Sequence, residues 1–339
     1  MKQFKRSVPE KPEWTEYTLC NENGMTVSFI DYGGIITGIK VPDKRGVFEN
    51  VILSMNPGNY FLYEKHSDLC FGAMVGRVAG RIKDASFTIE GKEYRLPANN
   101  GGNCLHGNQE FNRTLFKVKE IRGEDFSGAE LFYESPDGSN GFPGNVKVTV
   151  TYRLFEDNRF KIDIKGEPDR PTYIDITNHT YFNLSGNRKR DIKDEILSAD
   201  VSSVAVLRED LIPTGELKSV EGTPFDLREG KLLGDAIREI PGGYDHPFLF
   251  SEGKHEVSLF DRESGRLLEA ETDAPAFVCY TAGCLSEDFS IGEGKAEPFS
   301  GVAIEMQCLP DAMHRDEFPS VLCTPEKPFE REIAWRFTS

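Results

Sequence analysis

The sequence predicts an all-β protein, a large antiparallel β-sandwich with a few short helices, and three observations favour this fold class. Its 339 residues include 24 Phe, 11 Tyr and 32 Gly, a balance that suits pleated strands and tight turns. Apolar and polar residues alternate with a period of two in segments throughout the chain. Helical patterns are too few for the alternation of strands and helices that builds a parallel sheet.

Hairpins are the predicted repeating unit. Apolar residues occupy every second position of 146–154 and of 160–165, and polar residues stand between them. Such alternation is typical of antiparallel strands with one buried face. Glu156-Asp157-Asn158 supplies a turn between the two runs, and the segments 257–260 and 267–270 repeat the arrangement.

Two helices are predicted. The first lies in 229–240, where apolar residues recur every three or four positions before Pro241-Gly242-Gly243 ends the pattern, and a shorter one lies within 59–69. The length allows two ordinary domains or one large β-domain. Since no repeat, linker or change of composition separates two halves, we predict one domain over residues 1–339.

Composition excludes several classes of function. The net charge of −16 would repel a phosphate backbone and the chain has no run of Lys and Arg, so we expect no nucleic-acid partner. No apolar run is long enough to span a membrane, and no signal-peptide pattern stands at the N-terminus. The seven cysteines are scattered without a Cys-x-x-Cys pair, which favours a reducing cytoplasm. The oligomeric state is not predicted by any of these features.

Glu305 is the first candidate for chemistry. Residues 301–310 form a predicted strand in which Glu305 and Gln307 share one face and apolar residues form the other. If the face of Glu305 is buried, desolvation raises the pKa of the carboxyl group toward the range of a general base. The alternative is that this face simply meets solvent.

His179 lies in a second candidate segment, 172–183. If the strand continues through it, Asp175, Thr177, His179 and Tyr181 share a polar and aromatic face. A histidine is the natural acid near neutral pH, and Asn and Tyr neighbours are typical hydrogen-bonding partners of sugars. The alternative is a structural histidine with no part in chemistry.

Two loops add further candidates. His106 closes the Asn- and Gly-rich loop 97–107, which must contain turns with positive φ. Asp245 follows the predicted helix and either stabilises a turn or binds two sugar hydroxyls. Aromatic residues that could stack on a sugar face are Tyr181, Phe182 and Tyr244. Residues 76–81 lack the spacing of a dinucleotide-binding fingerprint, so no nucleotide site is predicted there.

Taken together, the ordered segments resemble the aldose 1-epimerase (galactose mutarotase) family from Gly33 to Phe337. The segments that carry the resemblance are Gly76–Arg81, Phe87–Gly91, Leu105–Gly107, Ser135–Gly138, Gly141–Gly144, Asn178–Gly186, Pro213–Gly215, Gly222–Asp226, Gly243–His246, Glu305–Ala312 and Phe318–Ser320.

This resemblance implies a two-layered β-supersandwich that interconverts the α and β anomers of a free aldose such as glucose or galactose. It implies that Glu305 is the general base and His179 the general acid. Arg81, His106 and Asp245 are implied to bind the sugar. It further implies a small-molecule monosaccharide as substrate and neither a cofactor nor a metal.

The sequence also departs from the family pattern. Gly80 stands where many members have Asn, Val278 where Gln is common, Ala282-Gly283 where Gly-Asn is common, and His314 where Asn is frequent. We expect these changes to remove polar groups from the pocket and thereby to alter which sugar is accepted.

Three alternatives remain open at the level of sequence. His106, His179 and Glu305 could form the two-His-one-carboxylate site of a metal-dependent oxygenase. The chain could be a non-catalytic sugar-binding protein on the same sandwich. It could also be an epimerase for phosphorylated or otherwise modified sugars, which would require additional Arg or Lys in the pocket.

Overall fold

Antiparallel strand pairing dominates the computed structural model of the chain, which describes residues 2–339. These residues form thirty strands, many of them short. The strands of the first half are β1 (Lys2–Val8), β2 (Lys11–Cys20), β3 (Thr26–Ile30), β4 (Ile36–Pro42), β5 (Phe48–Asn50), β6 (Met74–Val75), β7 (Arg81–Ile82), β8 (Ser86–Ile89), β9 (Lys92–Arg95), β10 (Cys104–Leu105), β11 (Lys117–Arg122), β12 (Phe126–Ser135), β13 (Val146–Phe155), β14 (Arg159–Pro168) and β15 (Thr172–Tyr173).

The strands of the second half are β16 (Thr177–Asn178), β17 (Tyr181–Phe182), β18 (Glu195–Ala199), β19 (Val201–Leu207), β20 (Pro213–Ser219), β21 (Lys231–Leu232), β22 (Asp245–Phe250), β23 (Glu256–Asp261), β24 (Leu267–Thr272), β25 (Ala276–Tyr280), β26 (Glu287–Ile291), β27 (Gly294–Ala296), β28 (Val302–Gln307), β29 (Leu322–Cys323) and β30 (Phe329–Thr338). The helices are α1 (Phe61–Lys65), α2 (His106–Gln109) and α3 (Leu233–Glu239), with 3₁₀ turns at Ser67–Leu69, Lys83–Ala85, Phe111–Arg113, Ser139–Gly141 and Ala312–His314. No helix among residues 2–339 is long and apolar enough to cross a membrane.

Three sheets build the sandwich. The nine-stranded sheet has the order β11-β12-β13-β14-β30-β24-β23-β18-β21, the six-stranded sheet the order β17-β28-β25-β22-β19-β20, and the five-stranded sheet the order β1 to β5. The remaining strands form two-stranded pairs in the connections between them. This architecture confirms the predicted all-β sandwich with a few short helices.

The core lies between the apolar face of the nine-stranded sheet and the faces of the other two sheets. Trp335 of β30 meets Phe182 of β17 edge to face with ring centroids 5.0 Å apart, which joins the nine-stranded and six-stranded sheets. Phe29 of β3 meets Tyr152 of β13 at 5.1 Å, which joins the five-stranded sheet to the same layer. Aromatic pairs of this kind add to the stabilisation that comes from burying their area.

Both predicted hairpins are confirmed. Strands β13 and β14 pair in register from Val146 opposite Pro168 to Leu154 opposite Phe160, and Asn158 in the turn adopts a φ of +61°. Strands β23 and β24 pair in the same antiparallel way. Each strand extends one to three residues beyond its predicted end because the ladder continues until the turn breaks it.

The predicted helices are shorter than the patterns that indicated them. Helix α3 covers only Leu233–Glu239 of the predicted 229–240, because Lys231 and Leu232 pair with strand β18 instead. It still ends before Pro241, as predicted. Within 59–69, α1 and a 3₁₀ turn are separated at His66.

Candidate active site

The inner face of the six-stranded sheet and several loops enclose a cavity of about 260 Å³. All five predicted site residues line it, although they come from distant parts of the sequence: Arg81, His106, His179, Asp245 and Glu305. Convergence of polar side chains in one cavity is the usual mark of a ligand site.

Glu305 occupies the middle of β28, where all six side chains are buried. The interpretation that its face meets solvent is therefore wrong, since Glu305 is only 4% exposed. Burial raises the pKa of its carboxyl group to about 8, and the negative charge of Asp245 adds to the shift. One carboxylate oxygen, Oε2, has no hydrogen-bond partner within the described residues, so it is free to meet a ligand.

His179 lies beside Glu305 in the cavity lining, with its Nε2 atom 3.4 Å from Oε1 of the carboxyl group. Backbone hydrogen bonds fix its position: its N–H donates to the Ala73 carbonyl and its carbonyl accepts from the Gly72 N–H. Burial lowers the pKa of the imidazole to about 4. The pair is therefore in direct contact and removed from water.

The strand expected through 172–183 does not continue. It breaks into β15, β16 and β17, each of two residues and each paired with a different partner strand. Asp175, which a continuous strand would place beside His179, instead meets Arg331 at 3.1 Å and accepts the backbone N–H of Cys308. The predicted common face of these residues is thus wrong for Asp175, although His179 and Tyr181 do line the cavity.

His106 begins the turn α2, in which all four residues have φ between +51° and +61°. This confirms the positive φ values predicted for the Asn- and Gly-rich loop. The backbone N–H of Gly80 donates to Nδ1 of His106 at 3.2 Å, so the ring proton resides on Nε2. Burial holds the pKa of His106 well below its ordinary value, so the neutral ring acts as a hydrogen-bond donor through Nε2.

Arg81 and Asp245 form the more open side of the cavity. Nη2 of Arg81 lies 3.5 Å from Oδ2 of Asp245, and Nε of the same guanidinium donates to Oδ1 of Asn100. Asp245 is the first residue of β22 and lies opposite Tyr280 in β25. A guanidinium and a carboxylate side by side offer several donors and acceptors to a polyol.

Of the three aromatic residues expected to stack on a sugar, only Tyr181 lines the cavity. Its hydroxyl donates to the Leu69 carbonyl, and its ring lies 4.9 Å from the ring of His179. Phe182 and Tyr244 are fully buried in the core, so the expectation is wrong for both. Both rings pack in the apolar core between the sheets instead.

The sequence did not assign a role to Gln307, which lines the cavity two residues after Glu305 on the same face of β28. Its Nε2 donates to the Cys308 carbonyl, whereas its Oε1 has no partner within residues 2–339. The shared strand face was the signal that could have found it. Other lining residues, such as Leu207, Leu211 and Pro310, lie in segments without any such signal.

Comparison with known proteins decides the family, because the family model described as aldose 1-epimerase matches residues 15–335. The chain belongs to the aldose 1-epimerase family. Galactose mutarotase of Bos taurus is 34% identical over 320 residues, which cover 93% of this chain and 91% of the relative. Aldose 1-epimerase of Haemophilus influenzae is 35% identical over 321 residues and 92% of each chain.

Solved structures agree with this family membership. The crystal structure of galactose 1-epimerase from Lactobacillus acidophilus superposes with a TM-score of 0.89 at 26% identity and covers 100% of this chain and 99% of that one. An aldose epimerase homologue from C. elegans superposes with a TM-score of 0.86 at 25% identity, over 95% and 98% of the two chains. The predicted resemblance is confirmed, and these findings support mutarotase activity.

The metal-dependent oxygenase is not supported. Ligand atoms of His106, His179 and Glu305 do lie within 4.8 Å of one another. However, Nδ1 of His106 accepts a backbone N–H, so Nε2 carries the proton and has no lone pair for a metal. Histidine ligands instead donate their second ring N–H to an acceptor. The arrangement suits hydrogen bonding to hydroxyl groups.

Only two of the departures from the aldose 1-epimerase pattern affect the cavity. Gly80 and Val278 line it. Ala282 is fully buried in a separate hydrophobic cluster, and His314 pairs with Asp311 at 2.7 Å. Gly283 packs against the backbone of Gly242, where an added Cβ would lie 2.0 Å from the carbonyl oxygen. The expectation that all these positions change the pocket is therefore wrong for Ala282, Gly283 and His314.

Proposed function

We propose that the chain accelerates the interconversion of α and β anomers of an aldose, with Glu305 as general base and His179 as general acid. The observation that carries this proposal is the direct approach of His179 Nε2 to Glu305 Oε1, 3.4 Å apart at the buried end of the cavity. A sugar lying over this pair can present its anomeric hydroxyl to one group and its ring oxygen to the other.

Both proton transfers act on oxygens bonded to C1. Glu305 removes the proton of the anomeric hydroxyl while His179 protonates the ring oxygen, so the C1–O5 bond breaks and an open-chain aldehyde forms. Rotation about C1–C2 presents the other face of the aldehyde. The ring oxygen then attacks C1 again, His179 regains its proton and Glu305 returns its proton to the new anomeric hydroxyl.

For this chemistry, Glu305 and His179 must share one titratable proton, so that one of them can act as acid and the other as base. Burial favours the uncharged form, in which Glu305 is protonated and His179 is neutral. The ionised form has the same number of protons and differs by a transfer across the 3.4 Å contact. Hydrogen bonds from sugar hydroxyls to the carboxylate favour that ionised form in the complex, because they replace the lost water.

The remaining polar residues would bind and orient the sugar. Arg81 and His106 offer donors, Asp245 offers acceptors, and we add Gln307 because its buried Oε1 lacks a partner and can accept a hydroxyl proton. Together they would hold C1 and the ring oxygen over the acid–base pair, which is the contribution of positioning to the rate.

An uncharged sugar fits this cavity better than a phosphorylated one. Two carboxylates line it, from Asp68 and Asp245, beside the carboxyl group of Glu305, whereas Arg81 is the only Lys or Arg among the lining residues. Its guanidinium already lies beside Asp245. Like charge around a phosphate would weaken binding, so the additional cations that a phosphorylated substrate requires are missing.

Polarimetry tests the proposal. Freshly dissolved α-glucose, α-galactose and a broader panel of aldoses should approach their equilibrium rotation faster with the protein than without it. A variant with an exposed carboxylate replaced, Glu326→Gln, serves as a matched control and should keep the wild-type rate. If no aldose of the panel responded while the protein bound sugars, the chain would be a binding protein on the same fold.

A further inference from the structure

The acid and the base of the proposed site belong to different strand ladders. Glu305 lies in β28, which pairs with β25. His179 follows β16, which pairs with β6, and the N–H of His179 itself donates to the Ala73 carbonyl. The 3.4 Å between His179 Nε2 and Glu305 Oε1 therefore depends on how the segment 175–179 is held against β28. We call this boundary the acid–base junction.

Backbone pairing joins the two sides of the junction only at one end. Strand β17 pairs with β28, where Tyr181 lies opposite Ala303. Continued by two residues, this register would place His179 opposite Glu305, but the preceding backbone turns away and pairs with β6. Beyond Ala303, the six-stranded sheet therefore ends at this edge of β28. Buried backbone groups nearly always find a partner, so other groups are needed to bind the β28 backbone here.

Two buried side chains from the segment 175–179 supply these bonds. The hydroxyl of Thr177 donates to the Met306 carbonyl, with its Oγ1 2.8 Å from the oxygen. Oδ2 of Asp175 accepts the backbone N–H of Cys308 at 3.0 Å. Both bonds reach the chain within three residues after Glu305. Side-chain hydrogen bonds thus take the place of a backbone ladder along this part of the junction.

The bond of Thr177 acts most directly on the acid–base pair. Asp175 also pairs with Arg331 at 3.1 Å, so its carboxylate serves a buried ion pair as well. Thr177 is uncharged and fully buried, and it lies two residues before His179 in the chain. Its acceptor is the carbonyl of the residue that follows Glu305. One hydrogen bond therefore connects the chain beside the acid to the chain beside the base.

We propose that Thr177 is a positioning residue, and that its bond to the Met306 carbonyl sets the approach of His179 to Glu305. This inference rests on the proposed mutarotase function and adds a residue to the same site. Thr177 does not line the cavity, so it acts only through the two groups that do.

Loss of this bond should affect proton transfer more than sugar binding. Arg81, His106 and Asp245 lie outside the junction, so a sugar would still find its hydrogen-bonding partners. The imidazole and the carboxyl group would no longer be held at the distance that proton transfer needs. A displacement of about 1 Å in reacting groups can slow a reaction roughly 100-fold. The expected result is therefore a lower kcat with an unchanged KM.

Variants at Thr177 test this inference with an aldose that the wild type accelerates. Thr177→Val and Thr177→Ala both remove the hydroxyl, whereas Thr177→Ser keeps it. The two hydroxyl-free variants should lose roughly tenfold or more in kcat while KM changes by less than about twofold, and Thr177→Ser should stay near the wild type. Thr272→Val is the matched control, because the Thr272 hydroxyl donates to the Glu332 carbonyl at 2.7 Å where β24 meets β30. It should keep the wild-type kcat.

A double-variant cycle separates positioning from a general structural role. In a His179→Asn background, adding Thr177→Val should leave the residual rate unchanged, because the hydroxyl then has no imidazole to place. A further loss of the same size as in the wild-type background would show that the effect does not pass through His179, and the inference would be overturned.

The remaining outcomes are equally decisive. A wild-type kcat in a folded variant without the hydroxyl would overturn the inference and leave the proposed function intact. Loss of folding in both hydroxyl-free variants, measured by circular dichroism, would also overturn it, because the hydroxyl would then serve the fold as a whole. A wild-type protein that accelerates no aldose would instead overturn the proposed function, and this inference with it.

Discussion

Glu305 and His179 owe their chemistry to burial rather than to residue type alone. The ordinary pKa values of a glutamate and a histidine are 4.5 and 6.5, whereas here the pKa of Glu305 is raised to about 8 and that of His179 is lowered to about 4. The two side chains touch, so their titrations belong to the pair. Between these values the pair holds the one proton that the proposed reaction needs.

The pH dependence of kcat/KM should therefore be bell-shaped. Below about pH 4 both groups are protonated and no base is present, and above about pH 8 both are deprotonated and no acid is present. Polarimetry between pH 5 and 10, corrected for the spontaneous rate, measures the alkaline limb, with circular dichroism as the control for folding. A rate that stays level to pH 10 would show that the pair does not share one proton.

Burial of Glu305 should also lower stability in a pH-dependent way. Its pKa is raised on folding, so its contribution is fully favourable below the unfolded pKa near 4.5 and is lost as pH rises through about 8. Glu305→Gln should melt close to the wild type at pH 4.5 and clearly above it at pH 8. Calorimetry measures both, and the exposed Glu326→Gln is the control. A difference that did not change with pH would argue against a desolvated carboxyl group.

Sequence could identify these two residues but not their contact. Alternation along 301–310 placed Glu305 and Gln307 on one face of a strand, and only the six-stranded sheet decides that this face is closed to water. The approach of His179 depends on backbone hydrogen bonds to Gly72 and Ala73, far away in the chain. Non-local pairing of this kind leaves no periodic pattern in the sequence.

The turn α2 shows how a loop fixes a functional side chain. Gly107, with a φ of +59°, packs so closely on the backbone that an added Cβ would lie 2.4 Å from both Arg77 N and Gly76 O. His106 adjoins it and is held by the Gly80 N–H. The position of the imidazole therefore depends on the packing of this turn against the Gly76–Gly80 segment.

Gly107→Ala should displace His106 and weaken sugar binding. The required shift of backbone and the positive φ both oppose a side chain, so we expect a higher KM and lower stability. Gly101→Ala is the matched control, because Gly101 has a φ of +61° in the same loop but open space around it. Gly107→Ala should have a higher KM and a lower melting temperature than Gly101→Ala. Equal effects would mean that the φ angle alone matters and that contact with Gly76 does not.

The strands that follow a two-residue period were predicted well, and the irregular ones were not. Strands β13 and β14 follow the alternation that indicated them because one face is buried along their whole length. In 172–183 the alternation of apolar and polar residues continues, but the hydrogen-bonded strand pairing does not. Asp175 there pairs with Arg331 and accepts the backbone N–H of Cys308. The buried ion pair between Asp175 and Arg331 therefore prevailed over the alternating pattern in this segment.

For the whole molecule, we propose that residues 1–339 form one domain. Strand β30, from the C-terminal end of the chain, stands between β14 and β24 in the nine-stranded sheet. The largest hydrophobic cluster extends from Tyr17 to Phe337. The nine-stranded sheet therefore needs strands from both halves of the chain.

Unfolding should accordingly be a single cooperative transition. The two tryptophans report on different clusters, since Trp14 lies in a second cluster that also contains Tyr181 and Ala303, and Trp335 lies in the main core. In the variants Trp14→Phe and Trp335→Phe, the remaining tryptophan fluorescence should follow the same urea transition as circular dichroism. A separate transition for Trp14 would divide the chain into two units.

Glu305 and His179 should act as one acid–base unit, in which neither residue works without the other. The most direct measurement is the mutarotation rate of the wild type, Glu305→Gln, His179→Asn and the double variant, all shown to be folded. Each single variant should lower kcat by roughly 10²- to 10⁴-fold, and the double variant should be about as slow as the slower single one. A wild-type rate in either folded single variant, or a loss in the double variant equal to the product of the two single losses, would show that the two residues do not form such a unit.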